Sequence, residues 1–402
     1  MEDKRPDIYD YEIGLENAVN ALKKNTAVTS DNKQLILRFH NLMVAMGRAK
    51  FARQTKIIRQ LTKLATLAGS KVISDFTKYD VIQMLAKFES NRYSDWTRSD
   101  YRLTTKKFFQ WLRNCEDGVY PHEVRWIKNL YPKSNLSPDQ LLSEEEVKAM
   151  VDAADHPRDK ALIFVLYDSG CRIGELLTLR IKDVETDTAG AVLNVTGKTG
   201  KRRVRLIQSV PLLSAWLAFH PFGKNPNACL WIRFESNRYT HAIDTPIRPS
   251  WTGDLIKKIA IRAGIKKRVY PHLFRHSRAT YLARFLPEPL LKKQEGWSKS
   301  SDMTSTYVHL SDQDLDNAMK RIGGIKVEEE EKKSVLNVVN CVRCRTQNSA
   351  TSKFCSSCGF CFDLNLSIQL DQAKTKIDEL FTAIVSDPQK LEVMLKLVQS
   401  MH

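Results

Sequence analysis

The chain has 402 residues, 42% of them hydrophobic and 27% charged, and carries a formal net charge of +17. That length exceeds what one hydrophobic core serves well, so two or three domains are expected. The composition reads as soluble and globular; no run of about 18 apolar residues marks a membrane span, and the acidic opening MEDKRPDIYDYE does not resemble a signal peptide.

The charge is uneven. Residues 1–137 hold 24 Lys/Arg against 15 Asp/Glu, residues 138–325 hold 29 against 21, and residues 326–402 are balanced at 10 each. Within the middle block, residues 198–299 carry 21 basic and 5 acidic side chains. Such a stretch suits a polyanion, because each neutralised phosphate releases counterions. A basic face kept for solubility is the alternative, and the local skew favours nucleic acid.

Residues 1–135 read as entirely helical. Ser30-Asp31-Asn32 can cap a helix through LILRFHNLMVAMG, with Leu35, Leu37, Phe39, Leu42 and Met43 roughly on one side. Further helices are expected in TKIIRQLTKLATLAG, KYDVIQMLAKFES and RLTTKKFFQWLRN, with basic residues interleaved, as in a bundle that grips a DNA backbone. Residues 131–138, with two prolines and small polar side chains, form a linker. Ser143-Glu144-Glu145-Glu146 is a capping box opening the next domain. AVLNVT and RRVRLIQ predict a β-hairpin over 191–207, punctuated by Gly197 and Gly200. Helices return over about 251–321, and Gly323-Gly324 with Glu328–Glu331 mark a second linker.

Four separated stretches carry chemistry. In YDSGCRIGEL, Arg172 and Glu175 stand three apart after a glycine turn, so the carboxylate can hold a guanidinium that presents paired donors to a phosphate. By itself Arg-x-x-Glu is an ordinary ion pair. His272 and Arg275 in HLFRH repeat the spacing; a second arginine clamps the other side of the phosphate, and the histidine can exchange a proton. His276 points elsewhere and reads as packing or capping. Lys198, in the hairpin turn of GKTGK, can protonate a leaving 5′-oxygen, with Lys201 its close competitor and Arg202 and Arg203 adding general phosphate affinity. Tyr307, in TYVH, is the candidate nucleophile, a phenol that needs a proton acceptor or an activated phosphate. The indole N–H of Trp297, ten residues earlier, can donate to a phosphate oxygen.

Cysteines divide in two. Cys115, Cys171 and Cys229 lie among apolar neighbours and read as reduced core residues. Five fall between 341 and 361, which points to metal binding and a reducing compartment. Cys341-x-x-Cys344, ten residues, then Cys355-x-x-Cys358 has zinc-ribbon spacing, and four thiolates suit tetrahedral zinc. Cys361 is a spare thiol. Beyond it the sequence is amphipathic, with Leu370, Ile377, Leu380 and Ile384 forming a stripe suited to docking, on a partner subunit or on the chain's own catalytic domain.

With these motifs in place, residues 10–322 resemble the tyrosine recombinases, the phage-integrase and Xer-like superfamily, most strongly from Ser143 to Ser311. The style of GWSKSSDMTSTYVHLS is similar to archaeal integrases. The resemblance implies a mainly α fold with a small antiparallel β-sheet. It assigns 1–135 to a helical core-binding domain that clamps DNA and 138–325 to an α+β catalytic domain; the cysteine spacing adds a zinc ribbon at 338–362, and the amphipathic stretch a helical segment at 364–402. It places Arg172 and Arg275 on the two catalytic arginines, Glu175 on the acidic position, Lys198 on the hairpin lysine, His272 on the His-x-x-Arg histidine and Tyr307 on the nucleophile. Trp297 stands where many members have histidine and some tryptophan. The implied activity is site-specific recombination, integrating or excising a mobile element or resolving DNA dimers, through a 3′-phosphotyrosyl intermediate. Catalysis then needs no cofactor, and zinc is structural. The implied partners are double-stranded DNA attachment sites, a homo-tetramer across two of them and an accessory DNA-bending protein, in the cytoplasm at the nucleoid. Type IB topoisomerase-like relaxation and a non-catalytic zinc-ribbon DNA-binding regulator are the alternatives.

Overall fold

The structure, a computed structural model, describes residues 6–47, 49–129, 137–197, 200–234, 242–304, 319–320, 322–324, 334–389, 392 and 394. It separates into two compact units, Tyr9–Leu136 and Ser137–His402, the latter joined by Met1–Ile8. No helix among the described residues is long and apolar enough to cross a membrane.

The first unit holds helices α1 (Tyr11–Lys24), α2 (Ser30–Ala45), α3 (Phe51–Ala68), α4 (Lys78–Glu89) and α5 (Asp95–Leu112). The helical reading of residues 1–135 covers α1 without having singled it out, but fails over residues 113–129, which form turns. Thr29, not Ser30, caps α2, accepting from the Asn32 N–H. The buried face of α2 runs through Ile36, Phe39 and Met43; Leu42 is exposed, and Leu35 and Leu37 only pack at the edge. Asn32 is buried because its side chain spans two backbones, donating to Lys71 O at 3.0 Å and accepting from Ile73 N at 2.8 Å. Ile58, Leu61, Leu64, Val81 and Phe108 continue one apolar core.

The second unit is organised around α7 (Pro157–Ser169), which is buried on all sides from Ala161 to Ser169. Helix burial of that kind makes it the core's central rod, packed by α6 (Glu144–Ala153), α9 (Val210–Phe219) and α11 (Pro271–Ala283). The Ser143–Glu146 capping box opens α6. After α8 (Ile173–Leu177) comes an antiparallel sheet in the order β1 (Val184–Asp187), β2 (Gly190–Gly197), β3 (Gly200–Leu206). The expected hairpin is β2–β3, closed by the pair Gly197 and Gly200. The strand β1 lies outside that reading, because VETD is too polar to announce itself, as does the small pair β4 (Ile232–Phe234) and β5 (Ala242–Pro246). Helices α10 (Pro249–Arg262), α11 and α12 (Glu288–Glu295) follow.

Buried Asp168 ties three of these pieces together. One carboxylate oxygen accepts from Ile207 N, Ser209 N and Ser209 Oγ at 2.9–3.1 Å, and the other accepts from Arg278 Nη2 at 2.9 Å. The end of α7 is thereby fixed to the β3–α9 turn and to α11.

The C-terminal part has two cysteine knuckles. Strands β6 (Val339–Asn340) and β7 (Gln347–Asn348) flank the first. Arg345 N donates to Cys341 O, and Gly359 N to Cys355 O, so both Cys-x-x-Cys turns close alike. Asn348 joins them, accepting from Ser356 N at 2.8 Å. Gln208 Nε2 donates to Ser334 Oγ and Asn337 Oδ1, anchoring the segment to the rest of its unit. Helix α13 (Leu364–Val385) exposes Ile368, Leu370, Ile377, Leu380 and Phe381, while Ile384 is half-buried. Among the described residues, Leu370, Ile377 and Leu380 of the predicted stripe are thus uncovered.

Candidate active site

The site forms where α7 ends. Gly170 caps α7 in the left-handed conformation and turns the chain so that Arg172 becomes the N-cap of α8. Glu175 Oε2 accepts from Arg172 N, and Oε1 from Arg172 Nη1, both at 3.0 Å. The sequence predicted this pair; the structure adds a third member. Arg202 Nη2 reaches Glu175 Oε2 at 2.8 Å, and Arg202 Nε donates to Gln294 O. Arg202 is therefore not a loose phosphate contact as its basic neighbourhood implied, but an interior brace with 8% side-chain exposure. Burial acts to raise the Glu175 carboxyl, but Arg202 and Arg172 outweigh it and the net shift is downward. Glu175 stays ionised and Arg172 stays held, with 36% of its side chain still open to solvent. The β2 backbone passes so close that a Cβ on Gly197 would sit 2.2 Å from Glu175 Oε1.

Helix α11 supplies the other half. Pro271 sets its first turn, which presents His272 and Arg275 one turn apart. Arg275 is buried, donating from Nη1 to Gly170 O at 2.9 Å and from Nη2 to Glu295 O at 2.6 Å. Bonding to the Gly170 carbonyl brings it within two residues of Arg172 along the chain. Burial lowers the Arg275 pKa, partly against Glu295; a guanidinium nonetheless remains charged. The Trp297 ring faces its guanidinium, 5.5 Å to the ring centroid. The left-handed Gly296 at the end of α12 turns the chain back, and Trp297 N donates to Lys292 O at 2.9 Å.

Loss of water around the ring pushes His272 down to about 4, with His276, Arg275 and Arg172 adding to the effect. The imidazole is neutral near pH 7 in the DNA-free protein. His276 does not point elsewhere, as expected, but meets His272 edge to face at 4.5 Å. On one helix that is the i, i+4 neighbourhood.

Arg172, Glu175, His272, Arg275 and Trp297 thus converge. Lys198 and Tyr307 lie outside the described residues, while Lys201 is exposed on β3 opposite Thr196. Met303 and Thr304, just before Tyr307, are described, and Thr304 Oγ1 donates to Glu288 Oε1 at 2.8 Å. Sequence reasoning missed Arg202, Arg278, Asp168 and Glu295 as parts of the network. The one available signal was Arg278, the third residue in an i, i+3 series along α11 after His272 and Arg275.

The cysteine cluster is separate. The sulfurs of Cys341, Cys344, Cys355 and Cys358 all lie within 4.8 Å of one another, with Cys341 to Cys358 at 3.6 Å and Cys344 to Cys355 at 3.5 Å. Tetrahedral zinc with bonds of about 2.3 Å needs sulfur–sulfur edges of about 3.8 Å, so the donor set fits a metal. Cys361 bonds to Asp363 O and stands apart. Cys171 and Cys229 are buried, whereas Cys115 is only half-buried.

Comparison with known proteins bears on this arrangement. Residues 140–314 match the phage integrase family. Tyrosine recombinase XerA of Pyrococcus horikoshii is 31% identical over 206 residues, covering 51% of this chain and 66% of that protein. The solved XerH site-specific recombinase bound to difH substrate shares the fold, with a TM-score of 0.52 and 17% identity over 77% of this chain and 93% of that one. So does a lambda integrase tetramer bound to a Holliday junction, at 0.52 and 14%, covering 68% and 76%. Residues 140–314 form a phage integrase family domain, and the chain is a tyrosine-type site-specific recombinase. The family favours that reading over a topoisomerase or a non-catalytic regulator.

Proposed function

We propose that this chain recombines double-stranded DNA sites by tyrosine attack, and that Arg172, Glu175, His272, Arg275 and Trp297 form its phosphate clamp. The convergence of these five residues from three separate stretches carries the reading. Tyr307 attacks the scissile phosphorus, giving a 3′-phosphotyrosyl ester and a free 5′-hydroxyl. The 5′-oxygen takes a proton from Lys198, with Lys201 the alternative donor. A 5′-hydroxyl from a partner strand then attacks the ester and releases Tyr307. Each step exchanges one ester for another, so no ATP is consumed. Arg172 and Arg275 stabilise charge on the non-bridging oxygens, the Trp297 indole adds a donor, and neutral His272 is available to accept the phenolic proton.

In this reading residues 1–135 bind the DNA backbone and residues 138–325 form the catalytic domain. The uncovered stripe of α13 supports assembly between subunits, towards a tetramer on two sites. Structural zinc would be held by Cys341, Cys344, Cys355 and Cys358 at 338–362, where it would fold the knuckles and take no part in the reaction.

Covalent trapping tests the reaction. Labelled fragments from around the gene are mixed with wild type and with Tyr307→Phe, without metal or ATP, and run on denaturing gels. The reading requires a protein–DNA adduct with wild type alone; DNA binding by both without an adduct would favour the regulator, and an adduct from the variant would move the nucleophile elsewhere. Elemental analysis tests the metal: one zinc per chain is expected, lost in Cys355→Ser.

A further inference from the structure

Glu295 is fully buried at the end of α12, and the reaction described above gives its carboxylate no task. Its Oε2 lies 3.0 Å from Arg275 Nη1, and its backbone oxygen accepts from Arg275 Nη2. One residue thus grips the second arginine twice. Neither carboxylate oxygen completes a hydrogen bond of good geometry within the protein. A buried, incompletely bonded carboxylate is costly to keep from water, and an apolar side chain would fill the place at less cost. The backbone is nevertheless shaped for the charged group. A Cβ on Gly170, already left-handed at φ 63°, would stand 2.7 Å from Glu295 Oε1. At Gly296, φ 61°, it would stand 2.8 Å from Arg202 Nη1.

The position along the chain matters as much. Trp297, whose ring faces Arg275, is two residues on, and Tyr307 is twelve residues on. We infer that Glu295 is a positioning residue, which braces Arg275 from the interior and ties its placement to the peptide leading to Trp297 and Tyr307. This rests on the reading of Arg275 as part of the phosphate clamp.

The groups facing Glu295 are Arg275 and Arg278 from α11, Arg202 from β3, Arg172 and Glu175 at the start of α8, and the Cys171 thiol. Burial pushes its carboxyl up to about 7, against the four guanidiniums. Ionised, it pairs with Arg275. Protonated, it leaves that side chain to the Gly170 and Glu295 carbonyls. The brace therefore tightens as pH rises through about 7.

The test is single-turnover adduct formation by the full chain on the trapping duplex from pH 5.5 to about 8.5. Wild type, Glu295→Gln and Glu295→Leu are compared, and DNA affinity is measured by mobility shift in a Tyr307→Phe background. Glu295→Gln should bind DNA like wild type but cleave about 10- to 100-fold more slowly above pH 7, the scale of a small misplacement of a catalytic group. It should also lose a wild-type rise in rate centred near 7. Glu295→Leu should show the same loss; if it fails to fold, as thermal melting reveals, the isosteric Gln variant decides. A Gln variant with the wild-type rate and pH profile overturns the inference. No adduct from wild type at any pH means that the parent reading has failed, and the inference falls with it.

Discussion

The two units solve burial in opposite ways. The first closes a continuous apolar core, and its buried polar groups pair mostly with neutral partners: Thr104 Oγ1 with Gln60 Oε1 at 2.6 Å, Asn32 with two backbones. The second buries Arg158, Asp159, Asp168, Glu175, Arg275 and Glu295, several in one connected network. Ions leave water only at a cost of several kcal/mol each. A unit that carries so many is built to hold charge in place: Arg275 stands inside that network, and Arg172, tied to it through Glu175, keeps part of its side chain open to solvent. The proposed phosphate clamp is thus held by the fold without DNA, whereas the helical unit closes its core mainly by apolar packing.

Arg275→Ala breaks the contrast most severely. It should slow adduct formation by about 10²–10³-fold, the scale of losing one preorganised donor. It should also cost about 1–3 kcal/mol in denaturant unfolding, because the buried carbonyls of Gly170 and Glu295 lose their donor. Ile58→Ala is the matching lesion in the first unit, where Ile58 is fully buried. About 2–5 kcal/mol of stability should go, with the rate of adduct formation by folded, DNA-saturated protein unchanged. If Ile58→Ala slowed that step as much as Arg275→Ala, the division of labour would be wrong.

The smallest effect is that of pH on His272. Its folded pKa of about 4 lies below the ordinary 6.5, so between these values the unfolded chain binds more protons. Stability from this group is complete above about 6.5 and is lost as pH falls towards 4. A His272→Asn variant should lose less thermal stability than wild type between pH 7 and pH 5. Bound phosphate should draw the imidazole pKa upward, which NMR titration of the Tyr307→Phe complex can follow. No upward movement would place His272 out of reach of the phosphate.

How much of this was legible in the sequence follows from what kind of pattern carried it. Helices α2 to α5 were visible because apolar residues recur at helical spacing, and the β2–β3 hairpin because glycines bracket alternating β-formers. The pair Arg172–Glu175 was visible because both members sit on one helical turn. Arg202 and Glu295 were not, because their partners lie far along the chain: 27 residues separate Arg202 from Glu175, and 20 separate Glu295 from Arg275. Arg202 looked like one more surface cation among Lys201, Arg203 and Arg205, and only the three-dimensional structure shows it turned inward. Strand β1 was hidden for a different reason: as an edge strand with a mostly exposed face, its polar VETD carries no hydrophobic signal.

The most direct measurement asks whether the arginines act by charge on the phosphate. Once trapping has located the scissile position, adduct formation by wild type, Arg172→Ala and Arg275→Ala is compared on a phosphodiester and on a neutral methylphosphonate at that position. The account predicts a loss of about 10²–10³-fold for each variant on the phosphodiester, shrinking at least about tenfold on the uncharged substrate, where the non-bridging charge is gone. Equal losses on both substrates would mean that Arg172 and Arg275 merely hold the fold together, and would contradict the phosphate clamp.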